Sequence, residues 1–166
     1  MSQLRRRGTP PVPVPVDGRY PQANENGVYL EEDCEVLTLP GPGTAGASAR
    51  ILLVEIGPAR WLGSVSYSMH SGDYRSTGSL PSLAARHGPY PDRTTALRST
   101  VGQLSGEMER IAGHGVSGTA KRARGNGAQS GVSAAETAEA RRVLHWASHL
   151  VSDLVGGPAQ LELSLT

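Results

Sequence analysis

Three groups of side chains have types and spacings that suit chemistry. The densest is Lys121-Arg122-Ala123-Arg124, three cations in four residues set between Gly118 and Gly125. Cations on a glycine-rich loop can approach a phosphate backbone closely and order on contact. The GxxxxGK[ST] pattern is absent, so this is not a nucleotide-binding P-loop. The second group is Arg60, Arg75, Arg86, Arg93 and Arg98, interleaved with Trp61, Tyr67, Tyr74, His87 and Tyr90. Arg, Tyr and Trp dominate binding hot spots, and the mixture suits phosphate contact with base stacking. Trp61 and Tyr67 lie on the apolar phase of an alternating segment, which favours a core position for them and leaves the arginines exposed. The third group is His145, His149 and Asp153, at i, i+4 and i+8. On a helix they share a face, and two neutral imidazoles one turn apart can chelate Zn²⁺ with a carboxylate as third ligand. The simpler account of this third group is a solvated polar helix face. HExxH is absent, so no metalloprotease base is supplied.

Other catalytic patterns are missing. No GxSxG elbow surrounds Ser66, Ser68 or Ser71, and no GxGxxG fingerprint occurs. Cys34, the single cysteine, lies in Glu32-Asp33-Cys34-Glu35. Carboxylates on both sides suppress the thiolate that a catalytic nucleophile needs. One cysteine also excludes an internal disulfide and a Cys-cluster zinc site. The expectation is a non-enzymatic protein without a cofactor.

Charge is segregated along the 166 residues although the formal net charge is only +1. Residues 25–35 hold five acids, Glu25, Glu31, Glu32, Asp33 and Glu35. Residues 113–132 hold Lys121, Arg122 and Arg124 and no acid. Lys121 is the only lysine among 16 basic residues. A GC-rich coding sequence explains that bias most simply, and bidentate binding of phosphate or carboxylate by guanidinium offers a physical alternative. No apolar run reaches transmembrane length, and Arg5-Arg6-Arg7 has no apolar stretch behind it, so a cytoplasmic protein is expected.

The elements that must position these groups follow from periodicity. Pro10, Pro11, Pro13 and Pro15 alternate with valines, so residues 1–26 read as an extended arm. Residues 27–166 read as one domain, with a flexible basic loop at 113–132. Within it, 27–30 and 36–39 could form a short strand pair around Glu31-Glu32-Asp33. Ile51 to Ile56 is a β-prone apolar run, Gly57 to Arg60 a turn, and Trp61 to Met69 alternates strictly, with Leu62 and three serines on the second, wet face. Tyr74 to Leu80 supplies a third strand. Asp92 is a helix N-cap, and Leu97, Val101, Leu104, Met108 and Ile111 form the apolar stripe that follows it. Gly113 and Gly115 should stop that helix. Ser133-Ala-Ala-Glu136 is a capping box opening a second helix through Leu154. Leu161, Leu163 and Leu165 alternate as a final strand. The fold expected is α+β, a small antiparallel sheet (the meander plus the C-terminal strand) with two helices on one face.

Segment 61–97 resembles small accessory proteins of phages, plasmids and integrated elements. The resemblance rests on Trp61-x-Gly63, the turn Ser71-Gly72-Asp73, Gly78-Ser79-Leu80-Pro81, and Tyr90-x-x-Arg93-x-x-Ala96-Leu97. It implies a mobile-element protein and carries over no catalytic residue. Two partner classes follow. One is nucleic acid, met by Arg60, Arg75, Arg86, Arg93, Arg98, Lys121, Arg122 and Arg124. The other is a host nucleic-acid-processing protein complex, inhibited by a chain whose acidic strip 25–35 imitates phosphate. A metal-dependent enzyme using His145, His149 and Asp153 is the remaining alternative.

Overall fold

A computed structural model describes residues 20–43, 46–70, 75–116 and 132–155. A four-stranded antiparallel meander runs in the order β1 (Glu35–Pro40), β2 (Ala47–Gly57), β3 (Arg60–Met69) and β4 (Arg75–Gly78). Helices α1 (Arg93–Val116) and α2 (Ala134–Val155) pack against each other and over one face of this sheet. The class is α+β. The predicted C-terminal strand, the arm through residue 19 and the loop around Lys121 lie outside the described residues.

β2 is the axis of the molecule. Ala49, Ile51 and Leu53 point to the helices, and Leu52 and Val54 point the other way; all five are 2% exposed or less. An uninterrupted apolar run requires cover on both sides of the sheet. On the helix side, Ile51 and Leu53 join Tyr67 and Met69 of β3, the α1 residues Leu97, Val101, Leu104, Met108 and Ile111, and the α2 residues Ala140, Val143 and Ala147. Burying each large aliphatic here contributes about 1.5–3 kcal/mol before entropy is counted. On the opposite side Leu52, Val54 and Leu62 pack with Tyr29 and Cys34.

That second layer departs from the expected wet face. The segment from Tyr20 to Cys34 and the loop through Pro81 cross it: Tyr29 N donates to Pro81 O at 2.9 Å and Leu83 N to Gly27 O at 2.9 Å. Leu62 and Ser64 are buried as a result, and the Ser64 hydroxyl donates to Ser79 O at 3.0 Å. The strand pair expected within 27–39 does not form. Val28 bridges Ser82, Glu31–Asp33 turns as a short 3-10 helix, and β1 pairs instead with β2, Glu35 opposite Leu53 and Leu39 opposite Ala49. A local hairpin would have left Leu52 and Val54 uncovered, so burial outweighs proximity in sequence.

The helix starts follow the sequence. Thr95 N donates to Asp92 Oδ1 at 2.7 Å, the Thr95 hydroxyl donates to Asp92 Oδ2 at 2.8 Å, and both bonds hold the Asp92 carboxyl below its usual range. The capping box is reciprocal: Glu136 N donates to Ser133 Oγ at 3.1 Å, and Ser133 N to Glu136 Oε2 at 2.8 Å. The end of α1 differs from expectation, because the helix runs through Gly113 and Gly115 to Val116. An interior glycine costs about 1 kcal/mol but does not by itself end a helix.

At Gly63 the sheet and α1 approach closely. A Cβ added there would lie 2.2 Å from Thr100 Oγ1 on α1 and 3.2 Å from a Leu53 methyl. Only glycine lets α1 settle this close to β3. At Gly102 and Gly106, by contrast, an added Cβ would meet nothing within 4 Å, so neither glycine serves a packing contact.

Candidate functional site

The candidate side chains sort by the two ends of the sheet. At one end are the tip of the β2–β3 hairpin, the loop 86–90 and the first turns of α1. They are tied by a two-way backbone bridge, Trp61 N to Tyr90 O at 2.8 Å and Tyr90 N to Trp61 O at 2.7 Å. The Tyr90 hydroxyl shares a 2.6 Å hydrogen bond with Ser99 Oγ, which fixes the loop to α1. This lattice carries Arg60 on the hairpin tip, Arg86 on the loop and Arg98 on α1, all exposed. None of the three forms an ion pair among the described residues. Arg60 lies close enough to the Tyr29 hydroxyl to oppose part of the upward pKa shift that burial gives it. Arg98 bears electrostatically on Asp92. Glu55, opposite Trp61 in the sheet, and Asp92, just before α1, are acids of this end.

Arg93 belongs to the same end but is not available. Its Nε donates to Glu35 Oε2 at 2.7 Å and its Nη2 to Glu35 Oε1. The Glu35 side chain is 2% exposed and that of Arg93 28%. Hydrogen bonding to Glu35 holds the guanidinium more firmly protonated, against the opposing effect of burial. The fork pins the start of α1 to edge strand β1, a structural duty. Arg93 therefore leaves the set of docking residues.

Arg75 stands apart as well. Its backbone lies opposite Met69, at the far end of β3 from Arg60. The length of β3 separates the two ends, roughly 30 Å at the usual rise. Lys121, Arg122 and Arg124 fall outside the described residues. Of the eight cations expected to converge, the structure brings Arg60, Arg86 and Arg98 to one end as exposed groups.

Of the aromatics interleaved with these cations, Trp61, Tyr67 and Tyr90 contribute to the core, His87 is exposed, and Tyr74 lies outside the described residues. Tyr67 is buried in the helix-side cluster, and Trp61 and Tyr90 pack against it half-buried. The acidic strip is partly consumed internally: Glu31 pairs with Arg50 and Glu35 with Arg93. Cys34 is buried, donates its Sγ–H to Leu30 O at 3.1 Å, and has its pKa pushed up to about 12 by burial first and by Asp33 and Glu31 second. It is a packing residue and a proton-bound thiol at neutral pH.

The opposite end of the sheet holds a network that sequence reading missed. Glu139 of α2 is buried and accepts from Ser48 Oγ at 2.9 Å and from His70 N at 3.0 Å. Arg142, one turn on, donates to Pro40 O at 2.9 Å and to Ser48 Oγ. A signal was present in two of the buried carboxylates, Glu35 and Glu139. Glu35 falls in phase with Leu37 and Leu39 on β1, and Glu139 lies beside Ala140 and Val143 on the buried side of α2. A carboxylate on an apolar phase announces an internal partner.

The histidine group is reduced. His145 and His149 are exposed and face each other, Nε2 to Nε2 at 3.3 Å. Asp153 does not join them: among the described residues, no group of three or more His, Cys, Asp or Glu side chains is placed to hold a metal ion. One exposed turn of helix separates Asp153 from His149, and its short side chain does not close that gap. Among the described residues no helix is long and apolar enough to cross a membrane. No protein-family model matches the chain, and neither the curated proteins nor the solved structures compared with it give a significant match.

Proposed function

We propose that this chain is a non-enzymatic binding module that docks the Arg60–Arg86–Arg98 end of its sheet on the phosphate backbone of duplex nucleic acid. The observation that carries the reading is that three exposed arginines, none in an ion pair among the described residues, stand on segments joined at one end by the Trp61–Tyr90 bridge and the Tyr90–Ser99 bond. Guanidinium groups on a rigid support contact phosphate with little loss of side-chain freedom beyond their own. Duplex is favoured over single strands because Trp61 and Tyr90 already spend part of their ring surface against the core. The resemblance of 61–97 to accessory proteins of phages and plasmids agrees with a role beside DNA. Imitation of phosphate by the acidic strip is the weaker reading, since Glu31 and Glu35 already neutralise arginines of the chain itself.

The test is a mobility-shift titration with duplex and single-stranded DNA at low and moderate salt. The expected result is duplex binding that weakens steeply with salt, and a clear loss of affinity when Arg60, Arg86 and Arg98 are changed together to alanine. Absence of binding by the parent protein at low salt would overturn the reading and pass the lead to a protein partner.

A further inference from the structure

We infer that His145 and His149 form a two-point clip for a single first-row transition-metal ion, of the Zn²⁺, Ni²⁺ or Cu²⁺ class, on the solvent face of α2. The two Nε2 atoms are 3.3 Å apart, with ring centroids 4.5 Å apart and ring planes 67° from each other. Two metal–nitrogen bonds of about 2.0–2.1 Å meeting at a tetrahedral angle require nitrogens about 3.3–3.4 Å apart. The rings thus already hold the separation of a chelate, and the i, i+4 spacing on a helix packed against α1 keeps them there.

Without an ion, one Nε2–H donates to the other Nε2. Binding requires a lone pair on both, so that proton moves to Nδ1 of the same ring and both imidazoles stay neutral. No net proton is released, and Nδ1 of each ring is left as a donor to water. Two nitrogen ligands leave the remaining positions of the ion to water, so the site is open rather than structural. Imidazole donors and the Irving–Williams order place Cu²⁺ first in affinity, with Ni²⁺ and Zn²⁺ behind, and give Mg²⁺ and Ca²⁺ no purchase. Arg141 precedes His145 by one turn and Asp153 follows His149 by one turn, so the flanking charges offset each other. The site uses none of Arg60, Arg86 and Arg98, and stands or falls independently of nucleic-acid binding.

The experiment is calorimetric titration of the full, untagged chain with Ni²⁺, followed by thermal unfolding with and without the ion. One saturable ion per chain is expected, with a rise in Tm because the ion binds only the helical form. His145→Ala and His149→Ala should each abolish saturation and the Tm rise, while circular dichroism confirms that these exposed changes leave the fold intact. His87→Ala and Asp153→Asn should retain both effects. Absence of a saturable site in the parent, or binding that survives either alanine change, overturns the proposal. Loss of binding in Asp153→Asn overturns it too, by showing a three-ligand site.

Discussion

The two ends of the sheet handle charge in different ways. At the far end, Glu139 is buried against the hydroxyl of Ser48 and the amide of His70, and Arg142 directs its guanidinium to Pro40 O and Ser48 Oγ. Charge there is turned inward and fastens α2 to the ends of β2 and β3. At the hairpin end, one pair does the same fastening: Arg93 and Glu35 lock the start of α1 to β1. The same end then carries Arg60, Arg86 and Arg98 exposed and without an ion pair among the described residues, although Arg98 bears on Asp92. A protein gains little stability from exposed, unpaired arginines, so their concentration at one end is the asymmetry to be explained. The proposed docking to an anion would account for it; at the far end Glu139 and Arg142 are engaged within the fold instead.

The largest effects should come from breaking the inward charges. Arg93→Ala leaves Glu35 buried without its partner and should cost about 2–4 kcal/mol in chemical denaturation. Combining Arg93→Met with Glu35→Leu should recover most of that loss, because the pair positions α1 and is replaceable by apolar packing. Glu139→Ala removes the acceptor of Ser48 and His70 and should cost about 1–3 kcal/mol, which would show that both ends depend on a buried carboxylate. If Arg93→Ala is neutral, that residue returns to the docking surface and the contrast between the ends dissolves.

Packing between the ends gives the next effects. Gly63→Ala should destabilise by about 1–3 kcal/mol by driving a methyl into Thr100, and Thr100→Ala in the same chain should relieve part of it. Gly102→Ala and Gly106→Ala should each stabilise by up to about 1 kcal/mol, since each methyl meets open space on a helix. A melting curve for each variant separates these signs. The smallest effect near neutral pH belongs to Cys34. Its folded pKa of about 12 lies above the ordinary 9.0, so the folded state holds the proton more tightly. Its contribution is complete below pH 9 and is lost as pH rises from there through about 12. A thiol reagent at neutral pH should modify Cys34 only at the rate at which the protein opens.

Periodicity made the long elements legible. The apolar run in β2, the strict alternation of β3, the stripe on α1 and the Ser133–Glu136 box each reported a local rule that the fold keeps. What escaped was set by distant contacts. Residues 27–30 carry the same β-prone signal whether they pair with 36–39 or with 81–83, and the need to cover Leu52 and Val54 decides between them. The serines of β3 read as a solvent face because nothing local reveals that Tyr29, Cys34 and Pro81 cross it. The candidate site was legible as residue types but not as partners. A sequence shows that Arg60 and Arg93 are both arginine. Only the register that brings Glu35 opposite Leu53, beneath the start of α1, shows that Arg93 is committed to the fold and Arg60 is not.

The most direct measurement is the slope of log affinity against log salt for a short DNA duplex, compared between the parent and the Arg60→Ala, Arg86→Ala, Arg98→Ala chain. Three phosphate contacts predict a slope shallower by about 2–3 in the variant, with stability changed by no more than about 0.5 kcal/mol per site. Identical slopes in two equally stable proteins would contradict the assignment of the hairpin end as the docking surface.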